Sequence, residues 1–276
     1  MSDRPHPIPQ LAMIERVRQL CLGDGRVVAA VMFGSFARGE GDAYSDVEFA
    51  LFLEDDVLPQ FDRAAWVAQV APVELAFADD FGHFTAIFAN LVRGEFLFEP
   101  HSNTAQEVSR WVGSAFLPRL DDCLLKDRDG ALAPLLQPLA TLPRRDAPEA
   151  VSRLKMSLVN AVLFGITVLR RGETARALEL LGLVHRYLLW LTRLDEGQTD
   201  HWPTPSRCLE SDLSPQAYER FRECTAALDV ESLWRAYRAS WAWGRELLAE
   251  LGPTAGTPLP TSLADKLDER LREGAG

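Results

Sequence analysis

The chain has 276 residues, of which 47% are hydrophobic and 25% charged, and its formal net charge is −11. This length predicts one or two domains with enough chain to bury a core, and the composition is that of an ordinary globular protein. The acidic balance argues against DNA or RNA as the main partner, because binding to phosphates needs a basic surface. It suits a cationic small molecule, although solubility alone is the simpler explanation.

The cysteines and the apolar segments indicate the cellular compartment of the protein. Cys21, Cys123, Cys208 and Cys224 lie far apart without a Cys-x-x-Cys pair, so we expect reduced, buried thiols rather than disulfides or a zinc site. The chain does not open on a basic segment followed by an apolar one, and the apolar run Met156–Leu169 is too short to span a bilayer. We therefore expect a cytoplasmic protein with no membrane partner.

The first half of the chain alternates between helix and strand patterns. Apolar residues at helical spacing from Leu11 to Leu20 predict a helix that ends near Gly23, and a helical segment is expected around Trp66. Five strands are predicted from β-branched and aromatic runs: residues 27–33, 47–53, 73–77, 84–88 and 95–99. They predict a mixed sheet with flanking helices in a domain over residues 1–145, which ends in a proline-rich connector.

The second half is helical. An apolar stripe from Val151 to Leu169 ends at Gly172, and residues 175–194 are apolar on most sides, as in the central helix of a bundle. Ser214-Pro215 is typical of a helix start, and a last bundle helix is expected over residues 230–251. The pattern predicts a helical bundle over residues 146–252, then a linker and tail over 253–276 with a frayed, charged helix. The predicted fold class is α+β.

Two carboxylates stand at the start of the second predicted strand. Asp46 and Glu48 are two residues apart, so their side chains point to the same face, while Val47 and Phe49 face a core. Like charges so close repel, and burial strengthens the repulsion, so the pair needs a cation, a proton or solvent. Mg²⁺ carrying a polyphosphate would serve, and Gly34-Ser35 lies upstream where it could hold that phosphate.

A Gly-Ser turn followed by Asp-x-Glu on the next strand resembles the signature of the DNA-polymerase-β-like nucleotidyltransferases. Four further segments, "MFGSFARGEGDAYSDVEFALFL", "LVRGEFLFEP", "ITVLRRGETARALELL" and "HWPTPSR", resemble the larger, two-domain lincosamide nucleotidyltransferases. The resemblance covers about residues 11–250. It implies transfer of AMP from ATP to a hydroxyl of a lincosamide antibiotic, Mg²⁺ as cofactor, and a possible homodimer.

The resemblance also assigns roles to residues. Asp46, Glu48 and Glu95 would be catalytic and hold the metal, with Glu95 as the third acid that accepts the acceptor's proton. Glu99, on the same strand face, is the fallback for Glu95. The family more often has aspartate where Glu48 stands, which leaves the position of a second metal open.

Nucleotide binding is assigned to Gly34, Ser35 and Arg176. Gly34 permits a tight turn or a close approach of phosphate, and Ser35 offers a hydroxyl and an N–H group. The positive charge could come from several arginines, of which we choose Arg176, although a solvated helix end explains it equally well. The candidates are Arg38, Arg93, Arg170, Arg171 and Arg176.

Other polar and aromatic residues are interpreted as structural. Lys155 interrupts an apolar helix face and is expected to reach solvent with its ammonium group. Trp234, Tyr237 and Trp241 recur at helical spacing, which favours core packing or a dimer contact over ligand contact. The histidines lack ligand spacing, and Tyr44, beside the acidic pair, is the aromatic residue expected nearest the substrates.

Two alternative functions remain open at this point. The first keeps the chemistry and changes the acceptor to an aminoglycoside or another small hydroxylated molecule. The second is an antitoxin-like protein that binds ATP and Mg²⁺ without turnover. The presence of Asp46, Glu48 and Glu95 together argues against an inactive protein.

Overall fold

Residues 8–80, 82–252 and 260–274 are described by the computed structural model. They fall into two units, Met1–Pro143 and Arg144–Gly276. The prediction for the linker at residues 253–259 lies outside the described residues.

The first unit is built on one mixed sheet. Within the described residues its strands stand in the order β3-β4-β5-β2-β1-β6, and β2 and β5 are parallel while the other neighbours are antiparallel. The strands are β1 Val27–Phe33, β2 Val47–Leu53, β3 Val73–Ala78, β4 Phe84–Phe88, β5 Arg93–Pro100 and β6 Leu124–Asp127. The five predicted strands are confirmed, and the mixed sheet with a separate helical unit confirms the α+β class.

Strand β6 was not predicted from the sequence. It has four residues, two of them charged, so it shows too few alternations to be distinguished from a turn. It forms because its backbone pairs with the exposed edge of β1, and because the ammonium group of Lys126 donates to the carbonyl groups of Cys21 (2.8 Å) and Asp24 (2.9 Å).

The middle of the sheet is covered on both faces. Every residue of β2 except Glu48 is buried, and β1 is buried up to its last residue, Phe33. Such strands need continuous apolar runs rather than alternation. Glu48 is therefore the partly open residue of β2, and Asp46, just before the strand, and Glu95 on β5 are also only partly buried.

Short helices surround the sheet and longer ones form the second unit. In the first unit they are α1 Pro9–Gly23, α2 Gly34–Arg38, α3 Arg63–Val67, α4 Thr104–Trp111, α5 Leu120–Cys123 and α6 Leu132–Leu136. In the second they are α7 Pro148–Arg170, α8 Thr174–Asp195, α9 Leu209–Asp212, α10 Pro215–Glu223, α11 Val230–Glu250 and α12 Thr261–Glu273. The predicted start of α10 is confirmed, since the Ser214 hydroxyl accepts from the N–H of Ala217 at 3.1 Å.

The core of the second unit lies between α7, α8 and α11. Trp234, Tyr237 and Trp241 are all buried there, which confirms core packing. The hydroxyl of Tyr237 donates to the carbonyl of Ala177 at 2.7 Å. A Cβ at Gly165 would lie 2.1 Å from that hydroxyl, so only glycine lets α7 lie so close to Tyr237.

Two predictions for this unit were wrong. The side chain of Lys155 does not reach solvent: it is buried, and its ammonium group donates to the carbonyl of Gly252 at 2.7 Å, just beyond α11. Carbonyl groups at a helix end lack partners within the helix and attract a cation, which explains the burial. Nor is the last helix frayed, because Leu267 and Leu271 of α12 are buried in the core.

Helix α7 is the one helix among the described residues that is long and apolar enough to cross a membrane. It has 23 residues because the helix continues on both sides of the apolar run that the sequence shows. Half of its most apolar window is buried inside the protein, as in the core helix of a bundle.

The free energy of unfolding should depend on pH through His185. Burial lowers the pKa of His185 below its ordinary value, although its hydrogen bond to the carbonyl of Cys224 (2.9 Å) opposes the shift. Between the lowered pKa and the ordinary one the folded state binds fewer protons than the unfolded state, so stability falls as the pH falls through this interval. One such group changes the free energy of unfolding by at most about 1.4 kcal/mol per pH unit.

The measurement is denaturant unfolding between about pH 7 and 5 for the wild type and His185→Gln. We expect a shallower dependence on pH in the variant. Equal slopes for the two proteins would contradict this role of His185.

Candidate active site

The register of two parallel strands brings the predicted acids together. Glu48 on β2 is paired with Glu95 on β5, so their Cα atoms are neighbours across the ladder, about 4.8 Å apart. Asp46 precedes Glu48 by two residues and Arg93 precedes Glu95 by two. Both strands therefore present their polar residues at the same spacing and on one face.

Aromatic packing shows which face that is. Phe49 and Phe96 follow Glu48 and Glu95 directly, are buried, and stack with ring centroids 5.4 Å apart. Their neighbours must point the other way, and both glutamates are indeed only partly buried. Glu95 thus lies on the sheet face opposite the stacked rings of Phe49 and Phe96.

Arg93 lies among the acids. Its guanidinium donates to Asp46 Oδ2 at 2.7 Å and, through its other terminal nitrogen, to Glu95 Oε1. Burial alone would lower the pKa of Arg93, but the hydrogen bond and charge of Glu95, together with Asp46, raise it above its ordinary value. One cation therefore offsets the repulsion between carboxylates that the sequence predicted.

Gly34 lies against Glu48 at the end of β1. Its φ is +71°, a left-handed conformation that favours glycine, and a Cβ there would lie 1.6 Å from Oε2 of Glu48. Phe33 and Glu48 are paired in the ladder, which brings the two segments together. A glycine is required at this position to make room for the Glu48 carboxylate, whereas the sequence suggested a turn or the approach of phosphate.

Ser35 has a buried hydroxyl without a partner. The residue is 6% exposed, and its Oγ makes no hydrogen bond in the structure. A buried polar group without a partner is costly, by about 1–3 kcal/mol, and such groups often mark functional positions. An oxygen of a ligand would satisfy this hydroxyl, which is the role predicted for Ser35.

The loop before Asp46 is held in place by its own side chains and by α1. Ser45 Oγ and the N–H of Tyr44 both donate to Asp42 Oδ1 at 2.9 Å, so Asp42 and Ser45 stabilise a turn. Gln10, a buried residue of α1, donates to the carbonyl groups of Ala43 (3.1 Å) and Ser45 (2.7 Å). Sequence reasoning missed Gln10, because nothing local to residue 10 indicates a partner more than thirty residues away.

The side chain of Tyr44 points out of the site into solvent, with 97% of its surface exposed. Its predicted place near the substrates therefore stays a prediction.

His83 and Asp79 flank Glu95 from the other side. Oxygen and nitrogen atoms of Asp79, His83 and Glu95 lie within 4.8 Å of one another, and Thr85, the partner of Glu95 on β4, donates to Asp79 at 3.3 Å. The sequence predicted that His83 is purely structural. Its position beside Glu95 depends on the pairing of β4 with β5, which no local motif reveals.

Arg38, Glu99 and Arg176 each pair with a residue outside this cluster of acids. Arg38 pairs with Glu40 at 2.9 Å, and Glu99 accepts from Asn103 at 2.8 Å and lies opposite Phe52. Arg176 belongs to the second unit, where its guanidinium pairs with Glu173 at 3.3 Å and lies over the ring of Phe164. Its role in nucleotide binding stays a prediction.

The donor set of this cluster suits a hard divalent cation. Asp46, Glu48 and Glu95 offer carboxylate oxygens, the ligands that Mg²⁺ prefers. Arg93 already places positive charge between two of them, which shows that the cluster accommodates a cation. About half of the Arg93 side chain is exposed, so the guanidinium would have room to turn aside for a metal ion.

Comparison with known proteins adds the family of the second unit. Residues 147–269 match the family model described as "Lincosamide nucleotidyltransferase-like, C-terminal domain". No curated protein matches the chain.

Two solved structures are similar at low identity. An aminoglycoside 6-adenyltransferase from Bacillus subtilis is 11% identical with a TM-score of 0.44, covering 95% of this chain and 97% of that one. A nucleotidyltransferase-like protein from Exiguobacterium sibiricum 255-15 is 12% identical with a TM-score of 0.39, covering 88% and 76%.

The family match bears on the class of protein for part of the chain. Residues 147–269 are similar to a lincosamide nucleotidyltransferase-like C-terminal domain, which agrees with the resemblance and with the enzyme class, a nucleotidyltransferase, predicted from the sequence. The match lies in the second unit, whereas the acids of the candidate site lie in the first.

Proposed function

We propose that this protein is a Mg²⁺-dependent adenylyltransferase that transfers AMP from ATP to a hydroxyl of a lincosamide antibiotic. The observation that carries the proposal is the pairing of Glu48 with Glu95 on parallel strands, with Asp46 and Glu95 both bound to Arg93. Three acids on one partly open face offer the carboxylate oxygens that would hold Mg²⁺ and the substrate phosphates for nucleotidyl transfer.

The proposed reaction is an in-line displacement at the α-phosphorus of ATP. The acceptor's hydroxyl oxygen forms the new bond to phosphorus, the bond to the β-phosphate oxygen breaks, and pyrophosphate leaves. Glu95 accepts the proton of the hydroxyl and later gives it to solvent. Asp46, Glu48 and Glu95 would hold the metal, which when bound neutralises charge on the phosphates.

Residues of the chain also prepare the nucleotide. Ser35 offers a buried hydroxyl to a phosphate oxygen, and Gly34 leaves space for the Glu48 carboxylate. Arg93 changes partners in this proposal: it neutralises the acids when the site is empty and turns to the triphosphate when metal takes that role. Positioning and charge neutralisation are the main contributions a protein makes to phosphoryl transfer.

Two observations support a lincosamide as the acceptor. The second unit matches the lincosamide nucleotidyltransferase-like family over residues 147–269. The net charge of −11 suits an acceptor that carries a basic amine, as lincosamides do. We place the reaction in the cytoplasm, where ATP is available, and expect no nucleic-acid or membrane partner. Light scattering would test the homodimer that the family resemblance implies.

The deciding experiment incubates the protein with ATP, MgCl₂ and lincomycin and follows the mass of the antibiotic. We expect a gain of one adenylyl group and release of pyrophosphate, both dependent on metal. A panel with clindamycin, kanamycin and streptomycin separates the acceptors. Adenylylation of an aminoglycoside alone would overturn the acceptor, and ATP binding with no turnover on any acceptor would favour the antitoxin-like alternative.

Replacement of Arg93 should change how the protein responds to Mg²⁺. In Arg93→Met the acids lose the cation that offsets their repulsion, so without metal the variant should be less stable than the wild type. Added Mg²⁺ should then stabilise it more than the wild type, because metal no longer competes with the guanidinium.

Thermal unfolding during a MgCl₂ titration measures this effect. Arg128→Met is the matched control, since Arg128 also pairs with an acid, Glu54, which directly follows β2, at 2.6 Å. If Mg²⁺ raised the melting temperatures of Arg93→Met and the wild type equally, the proposal that Mg²⁺ replaces the guanidinium of Arg93 would be contradicted.

A further inference from the structure

The connection between α8 and α10 brings together three different metal-ligating side chains. His201, Cys208 and Asp212 each offer one ligand atom, and these atoms lie within 4.8 Å of one another. The imidazole of His201 is hydrogen-bonded through Nδ1 to Asp212 Oδ2 at 2.6 Å. The group lies in the second unit and includes none of the acids of the candidate active site.

Hydrogen bonds from Arg193 hold the segment that carries these residues in place. Its side chain is fully buried and donates to the carbonyl groups of Pro205 (2.8 Å), Gln198 (3.1 Å) and Arg207 (2.6 Å). It also donates to Asp212 Oδ2 at 2.9 Å. Hydrogen bonds that orient a ligand from behind are a regular feature of metal sites, and here they hold both the carboxylate and the loop.

Cys208 differs from the other cysteines of the chain. Cys21, Cys123 and Cys224 are buried, and burial raises the pKa of their thiols to about 12, 11 and 11, so they stay protonated. Cys208 is exposed, which corrects the prediction that all four thiols are buried. Its backbone is in the left-handed region, with φ +51°, which is uncommon for a residue other than glycine.

We propose that His201, Cys208 and Asp212 bind a zinc ion, with water as the fourth ligand. Thiolate sulfur, imidazole nitrogen and carboxylate oxygen are the three ligand types that zinc takes in proteins, and three protein ligands leave one position open. Tetrahedral coordination at ordinary bond lengths needs ligand atoms about 3.3–3.8 Å apart. The three ligand atoms lie within 4.8 Å of one another, but His201 Nδ1 and Asp212 Oδ2 are hydrogen-bonded at 2.6 Å, so the imidazole would bind zinc through Nε2 or give up this hydrogen bond. Cys208 is on the surface, so its side chain has room to adjust.

The electrostatics of the group agree with the proposal. Asp212 Oδ2 accepts hydrogen bonds from His201 (2.6 Å) and from Arg193 (2.9 Å), and both stabilise the ionised carboxylate. Together with the thiolate that metal binding produces, it offsets the charges of zinc and Arg193 in part.

Cobalt(II) is the probe, because it replaces zinc and a thiolate ligand gives it a charge-transfer absorption band. The full chain is titrated with CoCl₂ in the presence of excess MgCl₂, which occupies carboxylate sites. We expect the thiolate band to saturate at one equivalent, and one equivalent of ZnCl₂ to abolish it. Zinc should also slow the reaction of Cys208 with a thiol reagent at least tenfold.

Variants of Cys208 and His201 test whether these residues are the ligands of the bound metal. Cys208→Ser, at an exposed position, should lose the band while keeping the wild-type melting temperature, and His201→Asn should weaken cobalt binding at least tenfold. His101→Asn is the matched control, since His101 pairs with Asp129 at 2.8 Å. Absence of the band, its persistence in Cys208→Ser, or unchanged binding in His201→Asn would overturn the proposal. Adenylyl transfer takes no part in these readouts, so either idea can fail alone.

Discussion

Asp46→Asn should reduce the turnover number for metal-dependent adenylyl transfer on the order of 10³-fold, which corresponds to about 4 kcal/mol of lost transition-state stabilisation. The substitution keeps the size of the side chain and removes one of the charged oxygens that would hold the metal. It also removes the charge from the acceptor of the 2.7 Å hydrogen bond from Arg93, leaving Glu95 as the charged partner of that guanidinium.

The loss should be specific to catalysis. One repelling carboxylate is gone, so the melting temperature without metal should stay near that of the wild type, and Mg²⁺ should stabilise the variant less. Glu74→Gln is the matched control, because Glu74 is an exposed acid on β3 of the same sheet. If Asp46→Asn retained more than about a tenth of wild-type turnover, Asp46 would not be a metal ligand.

Glu95→Gln should lower the turnover number by about 10²–10⁴-fold, the usual contribution of a general base, with little change in ATP affinity. The argument rests on position: Glu95 lies opposite Glu48, on the face away from Phe96 and Phe49, and it is bound to Arg93. Glutamine fills the same volume but cannot accept the hydroxyl proton.

Glu99→Gln provides the control for this prediction. Glu99 is on the same strand, but it accepts from Asn103 and lies opposite Phe52, so its replacement should leave turnover within about threefold of the wild type. Steady-state kinetics with ATP and lincomycin, together with ATP binding by calorimetry, separates turnover from affinity. A larger loss in Glu99→Gln than in Glu95→Gln would move the base role to Glu99.

The local motifs of the site could be read directly from the sequence. Asp46 and Glu48 share a face because strand residues alternate, and Gly34-Ser35 ends a strand whose apolar run is unbroken. Strand boundaries agree closely for β1, β2 and β4, since each is bounded by glycine or by polar residues. The third acid was chosen by family resemblance, and its distance from the pair could not be derived from spacing.

Contacts between distant segments could not be predicted from the sequence. Gln10 holds the loop before Asp46, Lys155 binds the carbonyl of Gly252 beyond α11, and His83 reaches Glu95 through a strand pairing. Each of these polar side chains resembles a surface residue when only its neighbours in the chain are considered. Its partner depends on which strands and helices become adjacent, and that is a property of the whole unit.

The order of residues by itself determined strands β1 to β5, the helical second half and the two acids at the head of β2, because side-chain alternation and helical periodicity are local. The tertiary structure decided that β5 pairs in parallel with β2, that Arg93 lies between the acids, and that Cys208 meets His201 and Asp212. Register and loop packing arise from long-range burial of apolar faces, so the partners of a charged group become known only when those faces have met.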